Sequence, residues 1–453
     1  ATQKAVELVK MSIARARRLV PLQGSYSNVI QNGLVIGGGL SGMTTALSLA
    51  EQGFKTHLIE RSDKLGGNYL NLHYTLEHED VGGFLSALIK RVQSNHNIVL
   101  HMNSEVKNVA GFVGNFEVTL NENNKETAVP CGAIIVATGA DPANTKDFQY
   151  GQSANIMTQS ELENALQTRD FSSSNRNIVM IQCAGSRNEE RPYCSRICCT
   201  MAVKNALKLK KQNPDTNIIV LYRDIRTYGF REKYYKQARE AGVIFMRYEK
   251  ENPPLISANH DLVTLKSPDF PEQIEIETDV IVLSTGVDAL KDNRKLADML
   301  KVPLNADGFY VEAHLKLRPV EFATEGIYLC GLAHSPKLSD ENISQARATA
   351  SRAATILSKT RLEVGGQVSC VDQEKCISCL TCVRACPYHA PLVNVNSKAE
   401  IAAAACMGCG ICASECPAHA IHLRNFESDQ FQDMLKTLLS ELGEENKPVS
   451  IPK

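Results

Sequence analysis

The sequence has no excess of charge of either sign and no long apolar segment. Its 453 residues contain 49 lysines and arginines against 50 aspartates and glutamates, for a formal net charge of −1. This balance gives the chain no overall field that would attract nucleic acid or a membrane surface. No apolar run approaches the ~18 residues that a transmembrane helix requires. We therefore expect no transmembrane segment.

A secretory signal peptide is not recognisable, and only three of the fifteen cysteines lie outside spacings typical of metal clusters. A disulfide framework is therefore not expected, and the chain is predicted to lie in a reducing compartment, the cytoplasm. The length predicts roughly two to four domains. The first residues, Lys4 to Leu19, form a charged, helix-patterned stretch, and we expect an N-terminal portion of the protein to precede Ala1.

The sequence does contain two runs of cysteines toward its C-terminal end. Each has the spacing C-x2-C-x2-C-x3-C-P of bacterial ferredoxins, in which three thiolates bind one [4Fe-4S] cluster and the fourth binds the other. Structural zinc and disulfides are the alternatives, but zinc sites pair cysteines in twos and lack triads that end in Cys-Pro. The segment is thus predicted to conduct electrons. The expected ligand sets are Cys376, Cys379, Cys382 and Cys416 for one cluster and Cys406, Cys409, Cys412 and Cys386 for the other.

A glycine-rich turn predicts a dinucleotide site. The apolar strand Asn32 to Ile36 leads into Gly37-Gly38-Gly39-Leu40-Ser41-Gly42 and then into an alanine-rich helical pattern. This context is typical of a pyrophosphate site, because the glycines admit the ligand and the helix N terminus offers free N–H groups. Glu60 ends the second strand about twenty residues later, where an acid can accept hydrogen bonds from a ribose. A solvated strand end is the alternative for Glu60.

Later segments resemble the flavoproteins of the glutathione reductase and thioredoxin reductase group. Ile134 to Gly139 and Ile281 to Gly286 are two copies of an apolar strand that ends in Thr-Gly, and Gly326 to Gly331 resembles the late strand that reaches the flavin. This resemblance implies FAD. Leu332 stands where that group usually has Asp, so the resemblance assigns no ribityl contact. The residues expected to bind FAD are Gly37, Gly39, Leu40, Ser41, Gly42, Glu60, Arg61, Lys64, Gly66, Gly67, Asn68, Val106, Ala137, Thr138, Gly139 and Gly331.

The insertion between the two Thr-Gly strands lacks the second G-x-G-x-x-G that would bind NADPH. The strand Asn177 to Ile181 runs instead into a turn with a cysteine, and further cysteines open a helical pattern from Thr200 to Lys211. A helix N terminus favours thiolates and a negatively charged cluster. We interpret these residues as ligands of a third [4Fe-4S] cluster. A redox-active disulfide is the alternative, although it requires Cys-x-x-Cys. The four ligands are Cys183, Cys194, Cys198 and Cys199.

Motifs around these cysteines resemble the A subunit of heterodisulfide reductase, and the resemblance covers roughly residues 1 to 424. They are Cys183 to Arg187, Tyr193 to Cys199, Tyr222 to Gly229, Leu65 to Asn68 and Val109 to Phe116. The resemblance implies a flavin that splits electron pairs between a disulfide branch and a ferredoxin branch. Members commonly carry a further N-terminal cluster domain that this sequence does not show.

The same resemblance gives Lys204 a catalytic role and implies several partners. Lys204 is expected to point at the reactive edge of the flavin, and an exposed helix lysine is the alternative. The implied partners are disulfide-reducing subunits with Cys-Cys-Gly motifs, a small iron-sulfur subunit, hydrogenase or formate dehydrogenase, and ferredoxin, in a hetero-oligomeric complex or a dimer of such complexes. Thr200 follows Cys199, so the chain itself has no Cys-Cys-Gly there. The second functional hypothesis is a self-contained NAD(P)H- or disulfide-linked ferredoxin oxidoreductase.

The predicted fold class is α/β: a thioredoxin-reductase-like flavoprotein with two dinucleotide-binding-type domains, an inserted [4Fe-4S] site and a C-terminal α+β ferredoxin domain with two clusters. The predicted domains are a helical leader (1–30), an FAD-binding domain in two parts (31–150 and 285–362), an inserted domain (151–284), a ferredoxin domain (363–425) and a C-terminal helix with a tail (426–453).

The remaining polar residues receive structural interpretations. His73 and His78 are predicted to be surface or hydrogen-bonded histidines. Cys131 and Cys330 are predicted to be buried structural thiols, and Cys370 a spare thiol. The basic residues Arg15, Arg17 and Arg18 are predicted to form a solvated helix face.

Overall fold

The computed structural model describes residues 2–22, 24–77, 80–168, 171 and 176–445. The chain divides into a larger unit, Gln31–Ala110 with Phe116–Ser358, and a smaller unit, Ala1–Ile30 with Gly111–Asn115 and Lys359–Lys453. In the described ranges no helix is both long enough and apolar enough to cross a membrane.

The first sheet of the larger unit is parallel and carries the glycine-rich turn. Its central strands are apolar and buried, as expected for a parallel sheet covered on both faces. The strand order is Ile327–Leu329, Ala133–Val136, Asn32–Ile36, Lys55–Ile59 and Ile98–His101. One face packs against the helices Leu40–Ala50, Val81–Ser94 and Ser339–Leu357. The other face packs against the helix Asn293–Leu300 and a sheet of Ser104–Phe112, Asn115–Glu122 and Lys125–Cys131.

The second sheet of the larger unit is also parallel and carries the inserted cysteines. The strand order is Ile156–Thr158, Val280–Leu283, Asn177–Ile181, Asn217–Tyr222 and Ile244–Arg247. One face packs against the helices Gln159–Thr168, Cys198–Gln212 and Glu232–Glu240. The other packs against an antiparallel sheet of Leu255–Ile256, Leu262–Leu265 and Ile274–Glu277.

Two short strands join the halves that these sheets define. Ala140–Pro142 leaves the first sheet and pairs in antiparallel fashion with Val287–Ala289, which returns to it. Below, the FAD half means the part built on the first sheet, and the inserted half means the part built on the second. The two-domain α/β fold predicted from the sequence is confirmed. Short 3-10 helices lie at Gly67–Asn71, Asp147–Gln149, Gly229–Arg231 and Gly331–Ala333.

The smaller unit contains an internal repeat around the two cysteine runs. Cys376 corresponds to Cys406, 30 positions later, and the left-handed Ser378 and Leu380 correspond to Gly408 and Gly410. The repeated elements are the strand pairs Ser369–Val371 with Ile421–Leu423 and Pro391–Val393 with Ala399–Ile401, and the helices Thr381–Ala385 and Ile411–Ser414.

The N-terminal segment of the smaller unit is more than a helical leader. After the helix Thr2–Ala16, the strand Gly24–Asn28 pairs with Arg361–Gly365, and the N-terminal helix packs against the helix Ser428–Glu445. Residues 446–453, the predicted tail, lie outside the described residues.

The prediction of a solvated basic face is wrong for one of its three arginines, Arg15. Arg15 lies 4.5 Å from the ring centroid of Phe426 and donates a hydrogen bond to the Asn425 carbonyl. Arg18 pairs with Asp433 at 2.5 Å, but its side chain remains 47% exposed, as predicted. Arg17 is exposed, as predicted. The difference arises because the C-terminal helix covers this side of the N-terminal helix.

Candidate flavin and iron-sulfur sites

The glycine-rich turn forms an open cradle at the N terminus of the helix Leu40–Ala50. Gly37 has a φ of 112°, and a Cβ there would collide with the Ala137 carbonyl oxygen, so only glycine fits. Gly39 precedes the helix and faces space in which a Cβ would meet no atom within 4 Å. The helix start has no side-chain cap. Free N–H groups beside an open space fit a pyrophosphate.

Glu60 lies beside this cradle and is only 9% exposed, so the alternative of a solvated strand end is wrong. Its Oε2 accepts the Gly38 N–H at 2.7 Å, and its Oε1 accepts the N–H and hydroxyl of Ser62 at 2.8 Å. A carboxylate oxygen can accept more than one hydrogen bond. The residues present therefore fit the dinucleotide, and the contact of Glu60 with a ribose stays a prediction.

The other residues expected to bind FAD are distributed around the same turn. Gly39 and Gly66 form an isolated bridge, so the loop with Gly67 and Asn68 lies against the cradle. Asn68 donates to the Ala140 carbonyl at 2.7 Å. Arg61 and Lys64 are exposed, Val106 packs beneath the first sheet, and Ala137, Thr138 and Gly139 follow a central strand. A Cβ on Gly331 would lie 2.6 Å from Ser41 Oγ, so Gly331 also borders the cradle.

The four inserted cysteines come together at the N terminus of the helix Cys198–Gln212. Cys183, Cys194, Cys198 and Cys199 line one small cavity. Backbone and side-chain donors point at their sulfurs, since Arg196 N–H lies 3.3 Å from Cys194 Sγ and Arg187 Nη1 lies 3.9 Å from Cys183 Sγ. Thiolates with such donors around a common space are the donor set of an iron-sulfur cluster. The residues therefore fit the predicted cluster.

Burial dominates the acid-base behaviour of these thiols. It raises the pKa of Cys198 well above its usual range, and the neighbouring sulfurs of Cys199, Cys183 and Cys194 add to the rise. Burial likewise raises the pKa of Cys199 to about 11. Without iron, burial thus opposes the thiolate form that the helix N terminus favours. Binding of positively charged iron would compensate for this cost.

Arginines line the cavity and organise its loops. Arg187 and Arg226 both contact the Asp224 carboxylate, at 2.6 and 3.4 Å. Arg223 donates to the carbonyls of Ser186 and Arg187. Positive charge beside a cluster stabilises its reduced form.

The structure brings together the cysteines of the first predicted ferredoxin ligand set. Cys376, Cys379, Cys382 and Cys416 line one small cavity. The Cys412 thiol, whose pKa is raised mainly by burial, also feels the charges of Cys406, Cys386 and Cys409. Ala390 N–H donates to Cys386 Sγ at 3.4 Å and Ala420 N–H to Cys416 Sγ at 3.3 Å, so the repeat extends to the sulfur contacts.

Lys204 is buried, with 5% exposed, so the alternative of an exposed helix lysine is wrong. Its ammonium donates to Glu163 Oε2 at 2.6 Å and to the Tyr74 carbonyl at 2.8 Å. Burial lowers the pKa of Lys204, and Glu163 opposes that shift. The Tyr74 hydroxyl donates to Asn205 Oδ1 at 2.7 Å. These contacts join the FAD half to the inserted half, and the role of Lys204 toward the flavin stays a prediction.

Several minor predictions can be compared with the structure. His73 is hydrogen-bonded, with Nε2 2.7 Å from Asn164 Oδ1, whereas His78 lies outside the described residues. Cys131 and Cys330 are fully buried, as predicted. Cys370 lies half-buried in the strand Ser369–Val371.

Sequence reasoning did not identify Glu163, Arg196 or Lys337. Lys337 is buried and donates to the Gly331 and Ser335 carbonyls at 2.7 and 2.8 Å, and its pKa is lowered to about 8 by burial. The Pro336-Lys337 pair just before a helix is the one local pattern that marks this loop. Glu163 has no such local pattern, whereas Arg196 lies within the motif Tyr193 to Cys199, which did not reveal its distant partners.

Comparison with known proteins gives the family. The family described as pyridine nucleotide-disulphide oxidoreductase matches residues 31–181, and the 4Fe-4S dicluster domain matches residues 369–417. The A subunit of the H(2):CoB-CoM heterodisulfide,ferredoxin reductase of Methanothermobacter thermautotrophicus is 32% identical, over 97% of this chain and 81% of the relative. The chain belongs to the family of heterodisulfide reductase A subunits. It is an FAD-dependent oxidoreductase with iron-sulfur clusters.

Further comparisons are consistent with this family. The iron-sulfur A subunit of the CoB--CoM heterodisulfide reductase of Methanocaldococcus jannaschii is 30% identical over 86% of this chain and 74% of the relative. Thioredoxin reductase from Lactococcus lactis superposes with a TM-score of 0.50 at 16% identity, over 72% of this chain and 99% of that one. That likeness shows the fold alone. The alignment with the Methanothermobacter relative spans 538 positions, so the relative carries segments without a counterpart in these 453 residues.

Proposed function

We propose that this heterodisulfide reductase family member conducts electrons between one FAD and three [4Fe-4S] clusters within a cytoplasmic heterodisulfide reductase-type complex. We further propose that its FAD divides electron pairs between a disulfide branch and a ferredoxin branch. A bound flavin supplies the chemistry, since it exchanges electrons in pairs or singly. We propose the domain boundaries expected from the sequence: an FAD half (31–150 and 285–362), an inserted half (151–284) and a ferredoxin domain (363–425).

The observation that carries the proposal is the cysteine site after the central strand of the second sheet. In a two-dinucleotide flavoprotein, a nucleotide binds at the carboxyl end of such a strand, over a glycine-rich turn. Here the strand Asn177–Ile181 is followed by the turn with Cys183, and three more cysteines line the same cavity. Cysteine ligands of a one-electron carrier thus occupy the position from which a bound nicotinamide would deliver hydride.

The two branches are supported by the names of the relatives. The Methanothermobacter relative is named for hydrogen, a heterodisulfide and ferredoxin, and the relative from Methanococcus maripaludis is named for hydrogen or formate with the same two acceptors. We propose the corresponding partners here: disulfide-reducing subunits with Cys-Cys-Gly motifs, a small iron-sulfur subunit, and a hydrogenase or formate dehydrogenase. The complex is proposed to exchange electrons with ferredoxin.

Stopped-flow reduction of the isolated holoprotein tests the electron-carrier role. Reduced ferredoxin should bleach the FAD rapidly under anaerobic conditions, and NADPH or NADH should leave it oxidised. Rapid bleaching by NADPH would instead support a self-contained NAD(P)H-linked oxidoreductase.

The division of electron pairs is tested with the native complex under hydrogen or formate. Ferredoxin reduction should occur only while a disulfide acceptor is being reduced at the same time. Ferredoxin reduction at an undiminished rate without the disulfide would contradict the division of electron pairs. Electron conduction would then be the only remaining function.

A further inference from the structure

Arg196 lies between two cysteines of the inserted site and contacts both halves of the larger unit. We propose that Arg196 is a positioning residue that holds the inserted cluster at a fixed separation from the FAD, so that single electrons pass between them. No bond forms or breaks in this step, because the electron lost by one centre is gained by the other. The inference rests on the proposed function, since it requires the third cluster.

On the side of the inserted half, Arg196 contacts the cluster site through its backbone. Its N–H lies 3.3 Å from Cys194 Sγ, and its φ is 60°. A non-glycine residue in this left-handed region persists only when surrounding contacts hold it there. Ser195, the preceding residue, accepts the Val287 N–H at 3.1 Å. The loop is therefore fixed to the linking strand Val287–Ala289 one residue before Arg196.

On the side of the FAD half, the Arg196 guanidinium contacts the segment that follows Gly331. It lies 2.7 Å from Glu341 Oε1 and 3.3 Å from the Pro336 carbonyl oxygen. Glu341 lies in the first turn of the helix Ser339–Leu357, and its Oε2 accepts the Leu338 N–H at 2.9 Å. This segment borders the FAD cradle, because its Lys337 donates to the Gly331 carbonyl.

Tyr228 completes the link. Its hydroxyl lies 3.0 Å from the Arg196 guanidinium and 2.9 Å from Glu341 Oε2, and its ring lies 4.9 Å from the guanidinium carbon. The side chains of Arg196 and Glu341 are 40% and 31% exposed, so their ion pair alone would contribute little to stability. A carboxylate, a carbonyl, a hydroxyl and an aromatic face that converge on one guanidinium fix its geometry more firmly.

The fold makes such a link useful. The linking strands Ala140–Pro142 and Val287–Ala289 connect the two halves along the chain, and halves joined in this way can rotate about the connection. Electron transfer slows steeply with the separation of two redox centres. A contact that runs from a cluster ligand to the border of the FAD cradle would keep that separation constant.

Arg226 provides a matched control. It lines the same cavity as Arg196, and its side chain is 45% exposed against 40% for Arg196. It acts on Cys199 through its backbone amide and its charge. Its carboxylate partner is Asp224, at 3.4 Å, within the inserted half. Substitution of Arg226 thus removes an equivalent charge near the cluster and leaves the link intact.

The experiment compares Arg196→Gln, Arg226→Gln and Glu341→Gln holoproteins with the wild type. Both arginine variants should lower the potential of the inserted cluster, measured by redox titration with EPR detection. Arg196→Gln and Glu341→Gln should slow electron transfer between FAD and cluster severalfold relative to Arg226→Gln, because the separation of the two centres would no longer be fixed. The same two variants should increase amide hydrogen exchange in residues 331–338.

Equal electron-transfer rates in Arg196→Gln and Arg226→Gln, with unchanged hydrogen exchange, would overturn the inference and leave Arg196 as a charge near the cluster. If Arg196→Gln loses its cluster, Glu341→Gln decides the question, because Glu341 contacts none of the four cysteines among the described contacts. A wild-type protein with about eight irons per FAD would remove the third cluster itself. That result would refute the proposed function and is distinguishable from failure of the link alone.

Discussion

The ammonium group of Lys204 lies 2.6 Å from the Glu163 carboxylate, and the two side chains are only 4% and 1% exposed. Each charge has a second partner. Lys204 donates to the Tyr74 carbonyl, and Glu163 accepts the His73 N–H at 2.7 Å. The pair therefore joins two helices of the inserted half to a segment of the FAD half. Buried ion pairs tolerate the loss of one partner poorly, because the remaining charge stays buried.

Glu163→Gln should lower the free energy of unfolding by about 3–5 kcal/mol, the cost of a buried charge without its partner. Anaerobic urea denaturation would measure this change. Glu240→Gln is the control, because Glu240 pairs with Lys236 at 3.7 Å on the surface, where a pair contributes about 0–1 kcal/mol. The double variant Glu163→Leu with Lys204→Met should recover most of the loss. Equal effects of Glu163→Gln and Glu240→Gln would contradict the importance of the pair.

The same pair allows a test of the predicted flavin role of Lys204, because loss of either residue should shift the FAD potential in opposite directions. A cation near the flavin stabilises its anionic reduced form, so Lys204→Gln should lower the FAD potential and Glu163→Gln should raise it. Redox titration at constant cluster content would measure both shifts. Lys208→Gln is the control, since Lys208 lies 5.4 Å from the Tyr74 ring centroid on the same helix. Unchanged potentials in both variants would leave the pair with a structural role alone.

Local patterns were sufficient for the elements that carry the cofactor residues. The strands Asn32–Ile36 and Asn177–Ile181 have the predicted bounds, because short apolar runs ending at glycine or cysteine turns leave few alternatives. Spacing also predicted that Cys376, Cys379, Cys382 and Cys416 would come together, and they line one cavity. Both predictions rest on local patterns, namely the apolar runs and the spacing inside each cysteine run.

Partners distant in the sequence could not be predicted. Glu163 lies 41 positions from Lys204, and Asn425 lies 410 positions from Arg15. Helical periodicity identifies which side of each helix is polar, but it does not say which helices will face one another. For this reason an exposed side chain was the alternative for Lys204 and the prediction for Arg15. The tertiary partners of both residues rule out that exposure.

Metal analysis tests the inserted site. Three clusters require about twelve irons and twelve labile sulfides per FAD. Cys198→Ala should remove about four of each while the two ferredoxin clusters and the FAD remain. Cys370→Ala is the control, because Cys370 lies outside the predicted ligand sets. Loss of the ferredoxin EPR signals in Cys198→Ala would show that the ligands are grouped incorrectly.

The lowered pKa of His57 should make the protein less stable in mild acid. Its Nδ1 lies 3.0 Å from His101 Nε2, and burial, with the charges of His101 and Lys55, lowers the pKa of His57 to about 4. The unfolded chain takes up this proton near pH 6.5, whereas the folded chain does not. The free energy of unfolding should therefore fall as the pH drops from 6.5 toward 4, by about 1 kcal/mol at pH 5.5.

Urea denaturation of wild type and His57→Asn at pH 7.0 and 5.5 would isolate this contribution. The difference between the two pH values should be smaller in His57→Asn by that amount. His96→Asn, at an exposed histidine, should keep the wild-type difference. An identical pH dependence in all three proteins would contradict the prediction.

The crossed ligand sets of the ferredoxin domain can be tested by releasing single clusters. Because Cys416 lines the cavity of Cys376, Cys379 and Cys382, Cys416→Ala should weaken the cluster bound by that first triad and leave the second intact. The variants are treated with a mild chelator under anaerobic conditions and then alkylated, and mass spectrometry identifies the labelled cysteines. In Cys416→Ala the first triad should be labelled. In Cys386→Ala the label should fall on Cys406, Cys409 and Cys412. Uncrossed binding, with each run holding its own cluster, would reverse the two patterns.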